Sequence, residues 1–460
     1  MVPQHSDDTI AAIASGSGKG AIGIIRLSGS GVCHVAREML GRVPAARRAE
    51  LADFRAADGI ALDAGLALFF PAPASFTGED MLELHGHGGP VVLDEVLRRV
   101  LQLGARAARP GEFSERAFLN GKIDVVQAEA VADLIDACTG AAARAAVRSL
   151  QGVFSARVHE LLQQLTELRA YVEAAIDFPD EDIDFPEDGA LAERLARLFG
   201  AFDSLWAAAR QGSLLREGLN VVIAGKPNAG KSSLMNLLAG TDVAIVTELP
   251  GTTRDVLRES VQLDGIPLHL IDTAGLREAP DRIEAEGIRR AEREMRHADR
   301  LLYLVDATTL EADALAGGAS KALSLELAQL PPGIPVTVVF NKIDLLGLRS
   351  TIDTAASPVR MGLSAKTGDG IDMLRSHLKS VAGCAGGEEG ALSARRRHLD
   401  ALERARAHVT SAADALLKRR AAELFAEDLR LAQRVLGEIT GEFTSDDLLG
   451  KIFASFCIGK

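Results

Sequence analysis

Gly225-Lys226-Pro227-Asn228-Ala229-Gly230-Lys231-Ser232 has the chemistry of a phosphate cradle. Its glycines let successive backbone N–H groups and a helix N-terminus face an anion, Lys231 can reach β/γ oxygens, and the Ser232 hydroxyl can ligate Mg2+. The setting strengthens the reading, because Val221-Val222-Ile223-Ala224 reads as a strand before the loop and a helical pattern opens at Ser233 after it. Asn228, Ala229, Gly230, Lys231, Ser232 and Ser233 are therefore expected to bind the phosphates of a nucleotide.

Four further segments follow in the order that a GTPase requires. Gly251-Thr252-Thr253-Arg254-Asp255 offers Thr253 as a second Mg2+ ligand and γ-phosphate sensor. A hairpin turning at Asp264-Gly265 leads to Asp272-Thr273-Ala274-Gly275, where Asp272 suits Mg2+ in its outer shell and Gly275 has the freedom to close on the γ-phosphate. In Asn341-Lys342-Ile343-Asp344, the Asp344 carboxylate can accept the two N–H groups of guanine's Watson–Crick edge, which adenine does not offer. Ser364-Ala365-Lys366 completes the base pocket, so the expected substrate is GTP and not ATP.

The hydrolytic group is less obvious. Leu276 stands where many Ras-type GTPases carry the glutamine that orients water, and a leucine cannot do so. Another group must place the water, and another positive charge must balance the transition state. Arg254 and Arg277 read as switch stabilisers or solvated ion pairs.

These motifs need a parallel sheet with crossover helices, and the alternation of β-type and helical runs from Leu219 to about Val381 has that signature. The remaining sequence differs in texture. Short apolar runs such as Ala21 to Leu27 and Leu66 to Phe70, separated by Gly and Pro, suggest an α+β domain over 1–122. From Ile123 the sequence is rich in Ala, Leu, Arg and Glu. Leu150, Phe154, Val158, Leu161, Leu165, Leu168 and Val172 step by three or four residues, as one stripe on a long helix should. A second helical segment is expected from Leu191 to Leu215, and a third region from Ser393 onward. The expected architecture is thus multidomain α/β: a Ras-like P-loop G domain (216–382) inserted into an all-α helical domain (123–215 and 383–460), after the N-terminal α+β domain.

At 460 residues the chain has room for about three domains, and its 47% hydrophobic and 25% charged content is ordinary for globular proteins. A net charge of -13 argues against a broad electrostatic footprint on nucleic acid, so any such contact is expected to be local or shared with a basic partner. Cys33, Cys138, Cys384 and Cys457 lack metal-type spacing and are too few for a disulfide framework, which fits a reducing cytoplasm. No signal pattern or membrane span is read in the chain. The Asp177 to Pro186 stretch reads as a solvated acidic loop, Gly16 to Gly20 as a flexible turn, and His85 and His87 as part of a glycine turn and not a metal site.

Asn228 in the P-loop, Gly251-Thr252-Thr253-Arg254-Asp255, and Asp272-Thr273-Ala274-Gly275-Leu276-Arg277-Glu278 followed by Glu284 resemble the MnmE (TrmE) family of tRNA modification GTPases, within the TrmE-Era-EngA-YihA-Septin-like class. Phe76-Thr77-Gly78-Glu79-Asp80, Gly86-His87-Gly88-Gly89, Arg109-Pro110-Gly111-Glu112-Phe113-Ser114-Glu115-Arg116-Ala117 and the terminal Cys457-Ile458-Gly459-Lys460 extend the resemblance along the chain. Lys226 departs from it, since the family more often has Arg there.

The resemblance implies a K+ beside the phosphates, held by Asn228, Thr247, Leu249 through its backbone and Thr252, within a GTP-contacting stretch Thr247, Glu248, Leu249, Pro250, Gly251, Thr252 and Thr253. It implies Glu284 as the water-positioning residue and G domains that dimerise face to face. For the N-terminal domain it implies dimerisation and a tetrahydrofolate site, the 5-formyl form being the usual analogue, at Arg26, Glu83, Lys122 and Lys460. Cys457 could act as a thiolate, with Lys460 near to lower its pKa. The implied partners are a second copy of the chain, the FAD protein MnmG in a heterotetramer, and tRNA, and the implied product is an aminomethyl or carboxymethylaminomethyl group at C5 of the wobble uridine. The chain carries no FAD fingerprint, which suits a flavin on the partner. Two alternatives are a ribosome-assembly GTPase, which would need a second G domain or a KH loop, and a slow GTP switch or scaffold.

Overall fold

The computed structural model describes residues 8–16, 18–177, 189–240, 258–263, 266–272, 298–310, 321–330, 334–381, 390–419, 421–442, 446–454, 456–457 and 459. Thr247, Glu248, Leu249, Pro250, Gly251, Thr252, Thr253, Thr273, Ala274, Gly275, Glu284 and Lys460, with most of the acidic loop and the Asp264-Gly265 turn, lie outside them.

In chain order the N-terminal elements are β1 (Ile10–Ile13), β2 (Ile22–Ser28), α1 (Val32–Leu40), β3 (Glu50–Arg55), β4 (Ala61–Phe70), β5 (Met81–His87), α2 (Pro90–Gln102), β6 (Arg106–Ala107) and α3 (Glu112–Leu119). Helices α4 (Val125–Ile135), α5 (Gly140–Leu150), α6 (Val153–Asp177) and α7 (Gly189–Glu217) follow. Then come β7 (Leu219–Gly225), α8 (Lys231–Gly240), β8 (Arg258–Leu263), β9 (Ile266–Asp272), β10 (Arg300–Asp306), α9 (Lys321–Leu327), β11 (Val336–Asn341), β12 (Thr351–Asp353), β13 (Val359–Gly362) and α10 (Ile371–Val381). The described chain ends in α11 (Arg396–Arg419), α12 (Ala422–Thr440), α13 (Asp446–Ala454) and a short tail.

Two compact units result. The first takes 1–132, 149–199 and 400–460, and the second takes 133–148 and 200–399. In the first, six strands are ordered β3-β4-β5-β2-β1-β6, with only the β1–β6 pair parallel. The register sets Ile25 opposite Leu84 and Leu27 opposite Leu82, and all four are buried with Ala67 and Phe69 beneath α1 and α2. Because side chains alternate along a strand, the intervening pair Arg26 and Glu83 faces the other way.

Phe154, Val158, Leu161, Leu165, Leu168 and Val172 are buried along α6, and they pair with the apolar stripe of α12, including Phe425, Leu429 and Leu436. Thr166 and Arg169 both meet Gln433, at 2.7 Å each, while His159 meets Glu442 at 3.3 Å, so the helices run antiparallel. The stripe is shorter than expected. Leu150 belongs to α5, because Gly152 adopts a left-handed φ of 84° and breaks the helix there. Phe453 and Phe456 of the C-terminal segment pack with Val125, Ala128 and Phe118.

In the second unit seven strands are ordered β12-β13-β11-β10-β7-β9-β8. The inner five are parallel, with β8 and β12 added antiparallel at the edges. Both faces are covered, one by α8 and α10 and the other by α9, which explains why the strands read as unbroken apolar runs. β9 lies on one side of β7 and β10 on the other, so the order reverses at β7, where open α/β sheets bind ligands beyond the carboxyl ends of their strands.

Candidate functional site

β7 ends in Gly225 with a φ of 146°, where a Cβ would run into the Leu304 carbonyl of the adjacent strand. The loop then turns through Asn228 in the left-handed region at φ 63° and Gly230 at φ 97°. Residue 230 must be small, because a Cβ there would meet the Asn341 side chain. Lys231 opens α8 and is buried at 7% exposure, its ammonium donating to the Gly225 and Lys226 carbonyls at 3.0 Å each. Ser232 and Ser233 are exposed on the first helical turn, where orphan backbone N–H groups and the helix dipole favour an anion. Asp272 closes β9 in register with Ile223, which brings that strand end beside the start of the loop.

The base-recognition segments converge on the same place. Asn341 ends β11 at 2% exposure, and its amide donates to the Ala229 carbonyl at 2.8 Å and accepts the Ala365 N–H at 2.9 Å. One side chain therefore joins the phosphate loop to Ser364-Ala365-Lys366. Ser364 is fully buried and accepts from the Thr367 N–H at 3.2 Å, whereas Lys366 is exposed. Lys342 is left-handed at φ 69°, and its ammonium donates to Asp306 at 2.6 Å. Burial pushes the Asp306 carboxyl up, but the Lys342 ammonium and the Thr308 donors outweigh it and hold it below the usual carboxylate range. Asp344 sits in the short turn after Lys342, and its Oδ1 is buried with no hydrogen-bond partner. A buried acceptor left open costs about 1–3 kcal/mol, so a ligand donor here is favoured, and guanine's paired N–H groups suit it.

Two contributors were not singled out from the sequence. Asp306 follows the apolar run of β10, and its place at a carboxyl strand end beside Asn341 was the available signal. Glu326 of α9 pairs with Lys226 of the phosphate loop and accepts the Tyr303 hydroxyl at 2.8 Å.

On the opposite face of the first unit's sheet, beside the buried Phe113 of α3, the half-buried Arg26 pairs with Glu83 across strands through Nε and NH2, both at 2.9 Å. The second Glu83 oxygen meets His85 Nε2 at 3.0 Å. Burial raises the Glu83 carboxyl, yet His85 and the Arg26 guanidinium prevail and hold it below the usual range. Phe76 and Phe113 flank the guanidinium at 5.9 Å each, and its NH1 reaches the Gly459 carbonyl at 3.5 Å. The tail thus arrives beside Arg26, with the exposed Cys457 held through its carbonyl by the Gly111 N–H at 3.3 Å. Lys122 donates to the Pro73 carbonyl at 3.0 Å, in the loop that carries Phe76. No periodic signal in the sequence marks Phe76 and Phe113 as neighbours of Arg26.

His85 and His87 close strand β5, so the expected glycine turn is corrected: Glu83 and Asp63 hold them, at 3.0 and 2.7 Å. Among the described residues no group of three or more His, Cys, Asp or Glu could hold a metal, and no helix is long and apolar enough to cross a membrane.

A family model described as "GTP-binding protein TrmE N-terminus" matches residues 9–122, and one described as "MnmE helical domain" matches residues 125–457. Relatives named tRNA modification GTPase MnmE match along nearly the whole chain. Those of Methylococcus capsulatus and Sodalis glossinidius are each 57% identical over 98% of this chain and 99% of their own length. That of Proteus mirabilis is 56% identical over 99% of this chain and 100% of its own.

Proposed function

The chain belongs to the MnmE family of tRNA modification GTPases, and from that premise we propose that it hydrolyses GTP with a potassium ion at the phosphates and uses the cycle to modify C5 of the wobble uridine in certain tRNAs. The observation that carries the nucleotide half is the Asn341 bridge, which supports a single site where the phosphate loop and the open Asp344 acceptor serve one molecule. Lys231 would hold the β/γ oxygens, and Ser232 and Thr253 would ligate Mg2+ through hydroxyl oxygens, the donor type that hard cations prefer.

Asn228, Thr247, Leu249 and Thr252 offer neutral oxygens, the donor set that suits a large monovalent cation. A cation held there supplies the positive charge that offsets developing negative charge where Leu276 leaves no catalytic glutamine. Glu284 would orient the attacking water through a bridging water.

Arg26, Glu83, Lys122 and Lys460 would hold a tetrahydrofolate of the 5-formyl type. A guanidinium and ammonium groups suit its carboxylates, and Glu83 suits the N–H edge of the pterin. Cys457, exposed beside this site, is a candidate nucleophile. The chain would act in the cytoplasm as a homodimer, joined by the FAD protein MnmG to add a (carboxymethyl)aminomethyl group. Nucleoside analysis of tRNA from cells lacking the protein tests this: loss of the modified wobble uridine is expected, and an unchanged profile would remove the tRNA assignment.

A further inference from the structure

Asp133, near the end of α4, is buried at 7% exposure. Its Oδ1 accepts from Arg216 Nε at 2.8 Å and from Arg395 NH2 at 3.0 Å, and its Oδ2 accepts the Ser393 hydroxyl at 2.6 Å. Arg216 is in the last turn of α7, just ahead of β7. Ser393 and Arg395 lie beyond α10, the last helix on the seven-stranded sheet. One carboxylate therefore holds the chain both where it enters the nucleotide-binding sheet and where it leaves.

The exit is itself packed like a core. Ala391 to Ala394 form neither helix nor strand, yet all four are buried, at 0% to 4% exposure. Buried backbone groups need partners. The Leu392 N–H donates to the Ala208 carbonyl of α7 at 3.2 Å, the Ser393 N–H to the Ala145 carbonyl of α5 at 3.4 Å, and the Ala391 carbonyl accepts Arg148 Nε at 2.8 Å. The segment can lie this close to α7 because residue 212 is glycine, where a Cβ would overlap the Leu392 backbone. The glycine lets the exit segment seat on α7, and the buried carboxylate is held by charge-assisted bonds from two guanidiniums and by a hydroxyl, so entry and exit are joined tightly at this junction.

We infer that Asp133 is a positioning residue for the GTP-driven reaction: by clamping Arg216, Ser393 and Arg395 together, it makes the helical segments 133–148 and 200–217 follow the nucleotide-binding sheet of the same unit through the GTP cycle. Without the clamp, motion of the sheet is absorbed in the connecting chain. The inference rests on the reading that GTP turnover drives the modification.

Full-length Asp133→Asn and Arg216→Lys variants test it. Three quantities are compared with the wild type: thermal midpoint, GTP hydrolysis by the purified protein, and modified wobble uridine in tRNA from cells carrying only the variant. Hydrolysis should stay within about 2-fold while modification per GTP hydrolysed falls by about 3- to 30-fold. A folded Asp133→Asn protein whose modification per GTP hydrolysed matches wild type overturns the inference. If Asp133→Asn does not fold, Arg216→Lys decides by the same ratio. Lys231→Ala serves as the control: modification that survives it removes the GTP-driven reading itself, whereas modification lost there with no uncoupling in the clamp variants removes only the clamp.

Discussion

Asn341 holds Ala229: the side-chain amide at the end of β11 donates to a carbonyl of the phosphate loop at 2.8 Å while its oxygen takes the Ala365 N–H at 2.9 Å. The relationship links two halves of a nucleotide site that are more than a hundred residues apart in the chain.

Asn341→Ala removes both bonds and strands a carbonyl and an N–H in a buried place. Each stranded group costs about 1–3 kcal/mol. GDP affinity measured by calorimetry should fall by about 10- to 1000-fold at a small change in fold content by circular dichroism. Unaltered affinity in the folded variant contradicts the bridge.

Asp344→Asn replaces an acceptor-only carboxylate with an amide that also donates. Guanine loses a partner for its N–H pair, while xanthine, which presents a carbonyl in place of the amino group, gains one. Affinity for guanine nucleotide should drop by about 100-fold and xanthine nucleotide should bind in its place. A variant that keeps its guanine preference would place base recognition elsewhere.

Gly212→Ala sets two effects against each other. Helix propensity favours alanine by about 1 kcal/mol, and overpacking against a backbone costs about 1–3 kcal/mol. The Leu392 backbone cannot move aside cheaply, since it is bonded to Ala208, so the variant should melt lower. A raised melting temperature would show that the exit segment is not seated on α7.

Glu83 carries a pH signature. Its carboxyl is held below the value of the unfolded chain, near 4.3, so the unfolded state takes the proton first as pH falls. The pairing with Arg26 and His85 therefore contributes stability that is complete above that value and is lost as pH falls through the lower, folded-state value. Urea unfolding of Glu83→Gln should show a smaller loss of stability than wild type between about pH 5 and 3. Parallel pH curves for the two proteins would refute the assignment.

Much of the second unit was legible because its chemistry is local. The phosphate loop needs its glycines within one turn, and β7 and β11 are apolar runs bounded by polar motif residues, so spacing alone placed Lys231, Asn341 and Asp344 on the right elements. The hairpin expected around Asp264-Gly265 is present as the antiparallel pair β8 and β9, whereas the antiparallel edge strand β12 was less legible, as a three-residue edge strand has no distinctive pattern. The break at Gly152 was missed because the three-and-four stepping continues across it, and only the left-handed φ ends the helix. Partners such as Asp306 for Lys342, Asp133 for Arg216, and Phe113 for Arg26 depend on contacts far apart in sequence, and a single chain read by spacing carries no signal for them.

Hydrolysis of GTP and ATP by the purified full-length chain, with K+ and with Na+ at equal ionic strength, tests the central claim most directly. GTP should be cleaved in preference to ATP, and faster in K+ than in Na+. Equal turnover of the two nucleotides, or equal rates in the two salts, would contradict it.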